Sequence, residues 1–259
     1  KSIWSQSCNI RERECLPGNL EVEAVIIGAG MAGTLTAFAL QEAGCQVVVL
    51  DAGQIGSGQT RNTTAKITSQ HGMIYQKLTQ TLGMDAARQY AQANQSAVRA
   101  YSHQKDKHID CDFEERSAYV YGNDARLLRE EAQAAAGLGL PASFVTDQKI
   151  PAPAVGAVKF EHQAQFHPLK FLKSISDGLT IYEHTPVQNV EGDLLTTPYG
   201  TVKAKHIVFA CHFPFINIPG MYFARLHQER SYVLALDNAP QVEGMYICLL
   251  YTSDAADDL

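Results

Sequence analysis

The chain has 259 residues, of which 46% are hydrophobic and 19% charged, with a formal net charge of -6. That balance supports the core of one large domain or two interleaved ones, and it speaks against a nucleic acid or an anionic membrane as partner, because phosphate binding needs clustered Lys and Arg. No apolar stretch approaches the roughly 20 residues that cross a bilayer, so no membrane span is expected.

The chain opens on Lys1, and KSIWSQSCNIRERE places charges where a secretory segment is apolar, so no signal peptide is read. The six Cys include no CxxC pair, and Cys8 and Cys15 sit in an ordinary segment; this fits reduced thiols in a cytoplasmic protein rather than a metal site. Glu23 to Ile27 (EAVII) then reads as a strand buried on both faces, ended by Gly28. Helical spacing from Met31 puts Leu35, Phe38 and Ala39 on one face up to Gly44, and a second strand from Gln46 to Leu50 leads to Asp51.

Strand, glycine turn, helix, strand and acid make one βαβ unit, and within it GAGMAG gains physical meaning. Gly28 permits the tight turn, Gly30 brings the backbone close to a pyrophosphate, and Gly33 lets helix and strand approach. Met31 and Ala32 open the helix, whose free N–H groups stabilise an anion. Asp51, followed by Ala52, can accept hydrogen bonds from a ribose diol. A plain βαβ connection is the alternative.

FAD and NAD share an ADP moiety, so this unit does not choose between them. The loop AGQIGSGQTRNTTAKITSQHG does, because Ser57, Thr60, Thr63 and Thr64, with Arg61 and Asn62, suit the pyrophosphate oxygens and ribityl chain of the longer cofactor. An ordinary polar loop is the competing explanation. Two catalytic candidates follow on the same segment. Lys66 could hydrogen-bond near the reactive ring, against a merely solvated lysine, and His71 could contact ring or substrate, against a loop histidine satisfied by backbone.

Further along, a single helix is expected from Met73 to about His108, then a strand at SAYVYG, a helix at ARLLREEAQAAAGLG and a strand at VGAVKF. A helix opening at Pro168 precedes a meander from Thr180 to Ala210, with turns at Glu191–Asp193 and Pro198–Gly200. His162 and His167 lack a third ligand nearby, so no metal is read there. The tail CLLYTSDAADDL shifts to small and acidic residues and resembles a translated sequencing adapter. Cys248–Leu259 is therefore read as non-native, with the gene continuing past Ile247; a natural acidic tail is the alternative.

GSGQTRN, following GAGMAG and Asp51, resembles the corresponding segment of the D-amino-acid oxidase and glycine oxidase superfamily of FAD enzymes. FHPLKFLKSIS, TPVQNVEG and KHIVFACHFPF resemble its later helix and strands, so the likeness runs from about Ala24 to Tyr232. It implies an α/β fold in which a Rossmann-type FAD-binding domain is interleaved with an α+β substrate domain on a mixed antiparallel sheet. The expected division is a segment 1–22, a FAD-binding domain of 23–108 and 155–212, and a substrate domain of 109–154 and 213–247. The resemblance further implies that the peptide of Val187 meets adenine, that Ala210 and Cys211 lie near the ADP half, and that Arg225 or Tyr232 serves a substrate carboxylate. A surface strand is the alternative for these last two.

TTAKITSQHG, IVFACHFPF and YFARLHQERSYVLAL are most similar to a bacterial subgroup that often carries a C-terminal Rieske iron-sulfur domain. That likeness implies hydride transfer from the C–N bond of a small amine or amino acid to flavin, with electrons passing to oxygen or to such a cluster. Two departures stand out: Asp51 replaces the Glu of many relatives, and neither a Rieske ligand pattern nor the last FAD-contacting strand precedes the tail. Two other readings remain, a NAD-dependent dehydrogenase and a truncated, non-catalytic dinucleotide-binding fragment. Oligomeric state is not legible.

Overall fold

The computed structural model describes residues 2–106, 109–146, 152–216 and 220–249; Leu250–Leu259, most of the adapter-like tail, lie outside them. In chain order the elements are α1 (Ile3–Ser7), β1 (Leu20–Ile27), α2 (Met31–Glu42), β2 (Val47–Leu50), β3 (Lys66–Ile67), α3 (Tyr75–Leu82) and α4 (Met84–Asp106). They continue with β4 (Glu114–Gly122), α5 (Ala125–Gly137), β5 (Ala142–Val145), β6 (Gly156–Gln165), α6 (Pro168–Ser176), β7 (Thr180–Tyr182), β8 (Asn189–Glu191), β9 (Leu194–Thr197), β10 (Gly200–Phe209) and β11 (Gly244–Cys248). Two compact units result, one of Lys1–Thr64 with His167–Ala235, the other of Ala65–Phe166 with the chain from Leu236 onward.

The first unit is built on a six-stranded sheet in the order β7-β2-β1-β10-β9-β8. Its β7, β2, β1 and β10 are parallel, with Val25 beside Val48 on one side and Ile207 on the other, while β9 and β8 fold back antiparallel. Val25, Ile26, Val49 and Leu50 are fully enclosed, as a strand covered on both faces requires. The two expected turns of the meander are present, Gly192 taking φ +60 between β8 and β9. On α2 the buried residues are Gly33, Thr34 and Ala37, not the expected face of Leu35, Phe38 and Ala39. Small side chains occupy the inner face because the helix runs close against the strands at Gly28 and Ala210, where a large one has no room.

The second unit carries a five-stranded sheet, β11-β4-β6-β3 with β5 also on β6, antiparallel except for the β11–β4 pair. Ala118, Val120 and Gly122 alternate into its core, where Leu128, Ala132 and Ala135 of α5 meet Tyr75, Val158 and Phe160. Asp124 caps α5 by accepting from the N–H groups of Arg126 and Leu127, both at 3.0 Å, a contact worth about 1 kcal/mol. The helix α3 lacks a side-chain cap of its own, and the buried Glu131 of α5 supplies it, accepting from Tyr75 N–H at 2.8 Å and Gln76 N–H at 2.9 Å. Burial pushes the Glu131 carboxyl upward, opposed by these donors.

Three expectations are corrected. The single helix from Met73 to His108 is two, because Gly83 takes φ +83 and ends α3 before α4 starts; His108 itself lies outside the described residues. The division falls after Thr64 and Phe166, so α3, α4 and β6 group with the second unit, which holds the partners of β6 in β3, β4 and β5. Residues from Phe213 to Ala235 stay with the first unit, and no strand forms between Arg225 and Tyr232. A lone extended segment gains no ladder hydrogen bonds, and Tyr232 and Leu234 are each 86% exposed.

Candidate functional site

The C-terminal ends of β1, β2 and β10 and the start of α2 enclose a cleft of about 670 Å³ in the first unit. Open parallel sheets place ligands at this edge, where the backbone leaves the strands and helix N-termini arrive. Gly28 turns the chain out of β1 at φ +110, and a Cβ there would stand 2.8 Å from the Ala210 carbonyl oxygen. A Cβ on Gly33 would run into the carbonyl oxygen of Gly28 and come 3.1 Å from Ala210 Cβ. Gly30 has open space instead, its nearest neighbour being Thr60 Oγ1 at 3.5 Å. The α2 N-terminus therefore opens into the cleft, with Met31 N–H donating to Thr60 Oγ1 at 3.0 Å.

Asp51 closes the other side. Its Oδ2 accepts from Ala29 N–H at 2.6 Å and its Oδ1 from Gly53 N–H at 2.8 Å, which fixes the carboxylate beside the glycine turn. Each oxygen retains a further lone pair, the acceptor capacity that a diol uses.

Of the residues singled out from the sequence, Gly28, Gly30, Met31, Ala32, Asp51, Ala52, Ser57, Thr60, Val187, Ala210 and Cys211 line this cleft, and Gly33 shapes it by close approach. Arg61, Asn62, Thr63 and Thr64 do not line it. The loop coils into a 3₁₀ turn at Gln59–Asn62, which aims Thr60 at the helix while Arg61 lines a second cleft with Ile10, Glu12 and Leu169. Asn62 donates to Gly58 O, and Thr63 O accepts from the Trp4 indole. The sequence reading missed Thr185, Phe209, His212 and Phe215 on the cleft wall. Their signal is that they fall within TPVQNVEG and KHIVFACHFPF, at or shortly past the ends of β7 and β10, the same strand ends that carry the expected residues. Burial raises the Cys211 thiol, so it is held neutral.

Residues 23–255 match the family model described as FAD dependent oxidoreductase. The chain belongs to this family of FAD-dependent oxidoreductases. YhfW of Bacillus subtilis (strain 168), which carries the name of a Rieske 2Fe-2S iron-sulfur protein, is 34% identical over 96% of this chain and 52% of its own length. Gamma-glutamylputrescine oxidoreductase of Escherichia coli (strain K12) is 24% identical over 76% of this chain and 50% of its own. The chain thus spans about half the length of the curated relatives it matches. Among solved structures, glycine oxidase from Geobacillus kaustophilus superposes with a TM-score of 0.57 at 19% identity, over 74% of this chain and 55% of that one, a likeness of fold.

The remaining candidates in this member of the family lie elsewhere. Arg225 and Tyr232 sit on the exposed, strandless stretch of the first unit. His162 Nδ1 pairs with Glu115 Oε1 at 2.8 Å, and His167 caps α6 through Nδ1. A group of Glu12, Glu183 and His184 brings ligand-type atoms within 4.8 Å, but Glu183 is committed to backbone N–H groups and His184 to Glu12. No described helix is long and apolar enough to cross a membrane.

Lys66 and His71 belong to the second unit, His71 exposed with Nε2 3.1 Å from Asn94 Oδ1. The Lys66 ammonium donates to Tyr246 O at 3.3 Å, and burial pulls its pKa down. The folded state then holds this proton less tightly than the unfolded chain, so charged Lys66 costs stability at neutral pH. That cost fades as pH rises through the folded pKa toward the unfolded one. Lys66→Met is expected to raise the midpoint of thermal unfolding at pH 7 by about 1–3 °C, with the gain shrinking as pH approaches the ordinary lysine range; paired melting curves across pH check this.

Proposed function

We propose that the cleft over Gly28–Gly33 holds the ADP half of FAD, and that the flavoenzyme to which this chain belongs oxidises the C–N bond of a small amine or amino acid. The observation that carries this reading is the pairing of an open α2 N-terminus at Gly30 with the Asp51 carboxylate across one cleft. The residues fit the group: the helix N-terminus and its dipole favour a pyrophosphate, Gly30 leaves room for it, and Asp51 accepts from ribose hydroxyls. Phe209, Phe215 and Val187 supply apolar surface suited to adenine.

When bound, FAD supplies the ring that accepts a hydride. The chain's own residues bind and orient. Thr60 and Asp51 hold the turn, and Ala210 and Cys211 form the floor under the glycines. Lys66 and His71 are the candidate groups for hydrogen bonding on the reactive side, and Arg225 and Tyr232 for a substrate carboxylate. C–N chemistry is supported by names among the similar proteins, gamma-glutamylputrescine oxidoreductase and glycine oxidase. The name of YhfW supports an iron-sulfur cluster as electron acceptor, with oxygen as the other route.

The test titrates the chain with FAD, following flavin fluorescence, and separately with NAD, with thermal unfolding recorded beside each cofactor to read protection, then adds a panel of amines and amino acids without oxygen. Uptake of FAD with substrate-driven loss of visible flavin absorbance is the expected result. Protection by NAD alone overturns the reading. Uptake without bleaching by any amine assigns cofactor holding to this chain and leaves the C–N chemistry unsupported.

A further inference from the structure

The residues ahead of β1 form an arm that is hydrogen-bonded to Thr63, Glu183 and Thr185, entirely within the first unit. Ser2 caps the short helix α1, and from it the Trp4 indole N–H donates to Thr63 O at 2.9 Å, at the end of the 3₁₀ turn that carries Thr60. The Trp4 ring meets His167 edge-on, with centroids 5.0 Å apart, and Ser7 Oγ lies 2.9 Å from His167 Nε2. His167 in turn caps α6 by accepting from Lys170 N–H.

The second attachment is Glu183, which is fully buried just past β7. One carboxylate oxygen accepts from Arg13 N–H on the arm and the other from Ile55 N–H on the cofactor loop, each at 2.9 Å. A buried carboxylate with two backbone donors is a bridge in which each hydrogen bond is charge-assisted. Arg13 also donates through Nη2 to Ser176 O at 2.7 Å, anchoring this point of the arm to α6. The third attachment is Thr185, on the cleft wall, whose Oγ1 accepts from Leu16 N–H at 3.1 Å while its own N–H donates to Asp51 O at 2.8 Å. Leu16 is buried in the core under the sheet.

The loop from Asp51 to Thr63 has one 3₁₀ turn and no strand to hold it. Ordering such a loop costs conformational entropy at each residue, and a ligand that must order it binds correspondingly less tightly. We propose that the arm is a strap that orders this loop before FAD arrives, with Glu183 as the positioning residue that transmits its hold. Neither Glu183 nor Trp4 lines the cleft; both act through Ile55, Thr63 and the Thr60 hydroxyl at the head of α2. The proposal rests on the reading that this cleft holds FAD.

The test uses the full chain and two variants. Glu183→Gln turns an amide N–H₂ toward one of the two backbone donors, and Trp4→Phe keeps a ring on His167 while removing the indole hydrogen bond to Thr63 O. Glu115→Gln in the second unit is the control. Hydrogen exchange of residues 53–64 is followed without cofactor, and the FAD dissociation constant is measured by fluorescence quenching. Expected are faster exchange in that segment, with FAD binding weakened at least tenfold by Glu183→Gln and about threefold by Trp4→Phe, the control unchanged.

A folded Trp4→Phe with parental exchange and FAD affinity within twofold overturns the strap, even if Glu183→Gln fails to fold. Weaker binding with unchanged exchange overturns it too, since Glu183 would then act on the ligand without the loop. A parent chain that takes up no FAD overturns the reading of the cleft instead, and the exchange comparison still decides whether the arm orders the loop.

Discussion

Replacing Gly33 with alanine is expected to cost about 3 kcal/mol of stability, near the upper end for overpacking a tight site, and to abolish measurable FAD uptake. The added methyl has no free volume. It would run into the Gly28 carbonyl oxygen, which is backbone, and come 3.1 Å from Ala210 Cβ, so no flexible side chain can yield. Relief requires α2 to lift from β1 and β10, which carries the helix N-terminus away from the cleft. Stability and binding therefore fall together. Gly137→Ala, at the end of α5 with nothing within 4 Å of the new atom, is the informative contrast and is expected to gain up to about 1 kcal/mol. Denaturant unfolding of both variants beside a flavin titration reads the difference. A Gly33→Ala protein with parental stability and FAD affinity would show that the helix does not approach the turn as closely as described.

Asp51→Ala is expected to weaken FAD binding about 100-fold, equivalent to about 2.7 kcal/mol, and to lower stability by about 2–4 kcal/mol. Two effects combine here. The carboxylate holds the N–H groups of Ala29 and Gly53, so its loss leaves both donors to water and loosens the turn. It also removes the acceptor proposed for the ribose. Asp51→Asn separates these effects, because an amide of the same size keeps one acceptor oxygen and loses the charge. If Asp51→Asn folds as the parent does and binds FAD equally well, Asp51 is a turn residue alone and the ribose contact is withdrawn.

Much of the first unit was legible because its signals are local. A β-branched run enclosed on both faces, glycines spaced around a turn, a helix and a terminal acid all fall between Leu20 and Asp51, where sequence separation is short, although the inner face of that helix was misassigned. The second unit was partly legible for the same reason: SAYVYG and ARLLREEAQAAAGLG carry their period and cap in the residues themselves. The break of the long helix at Gly83 was missed because a glycine within a helical pattern states only that positive φ is permitted, not that it is used.

The sequence by itself determined the strand–turn–helix–strand unit closed by Asp51 and the family resemblance, since each depends on residue type at fixed spacing. Only the tertiary structure decided where the chain divides, that Arg61 to Thr64 stand off the cleft while Thr60 faces it, and that Glu183 binds the arm to the cofactor loop. Those outcomes depend on pairings across large separations: β6 with β4, a 3₁₀ turn seated against α6, and Ile55 N–H meeting a carboxylate 128 residues away. No local pattern encodes such a partner, because a buried carboxylate needs a donor from whatever backbone the fold brings to it.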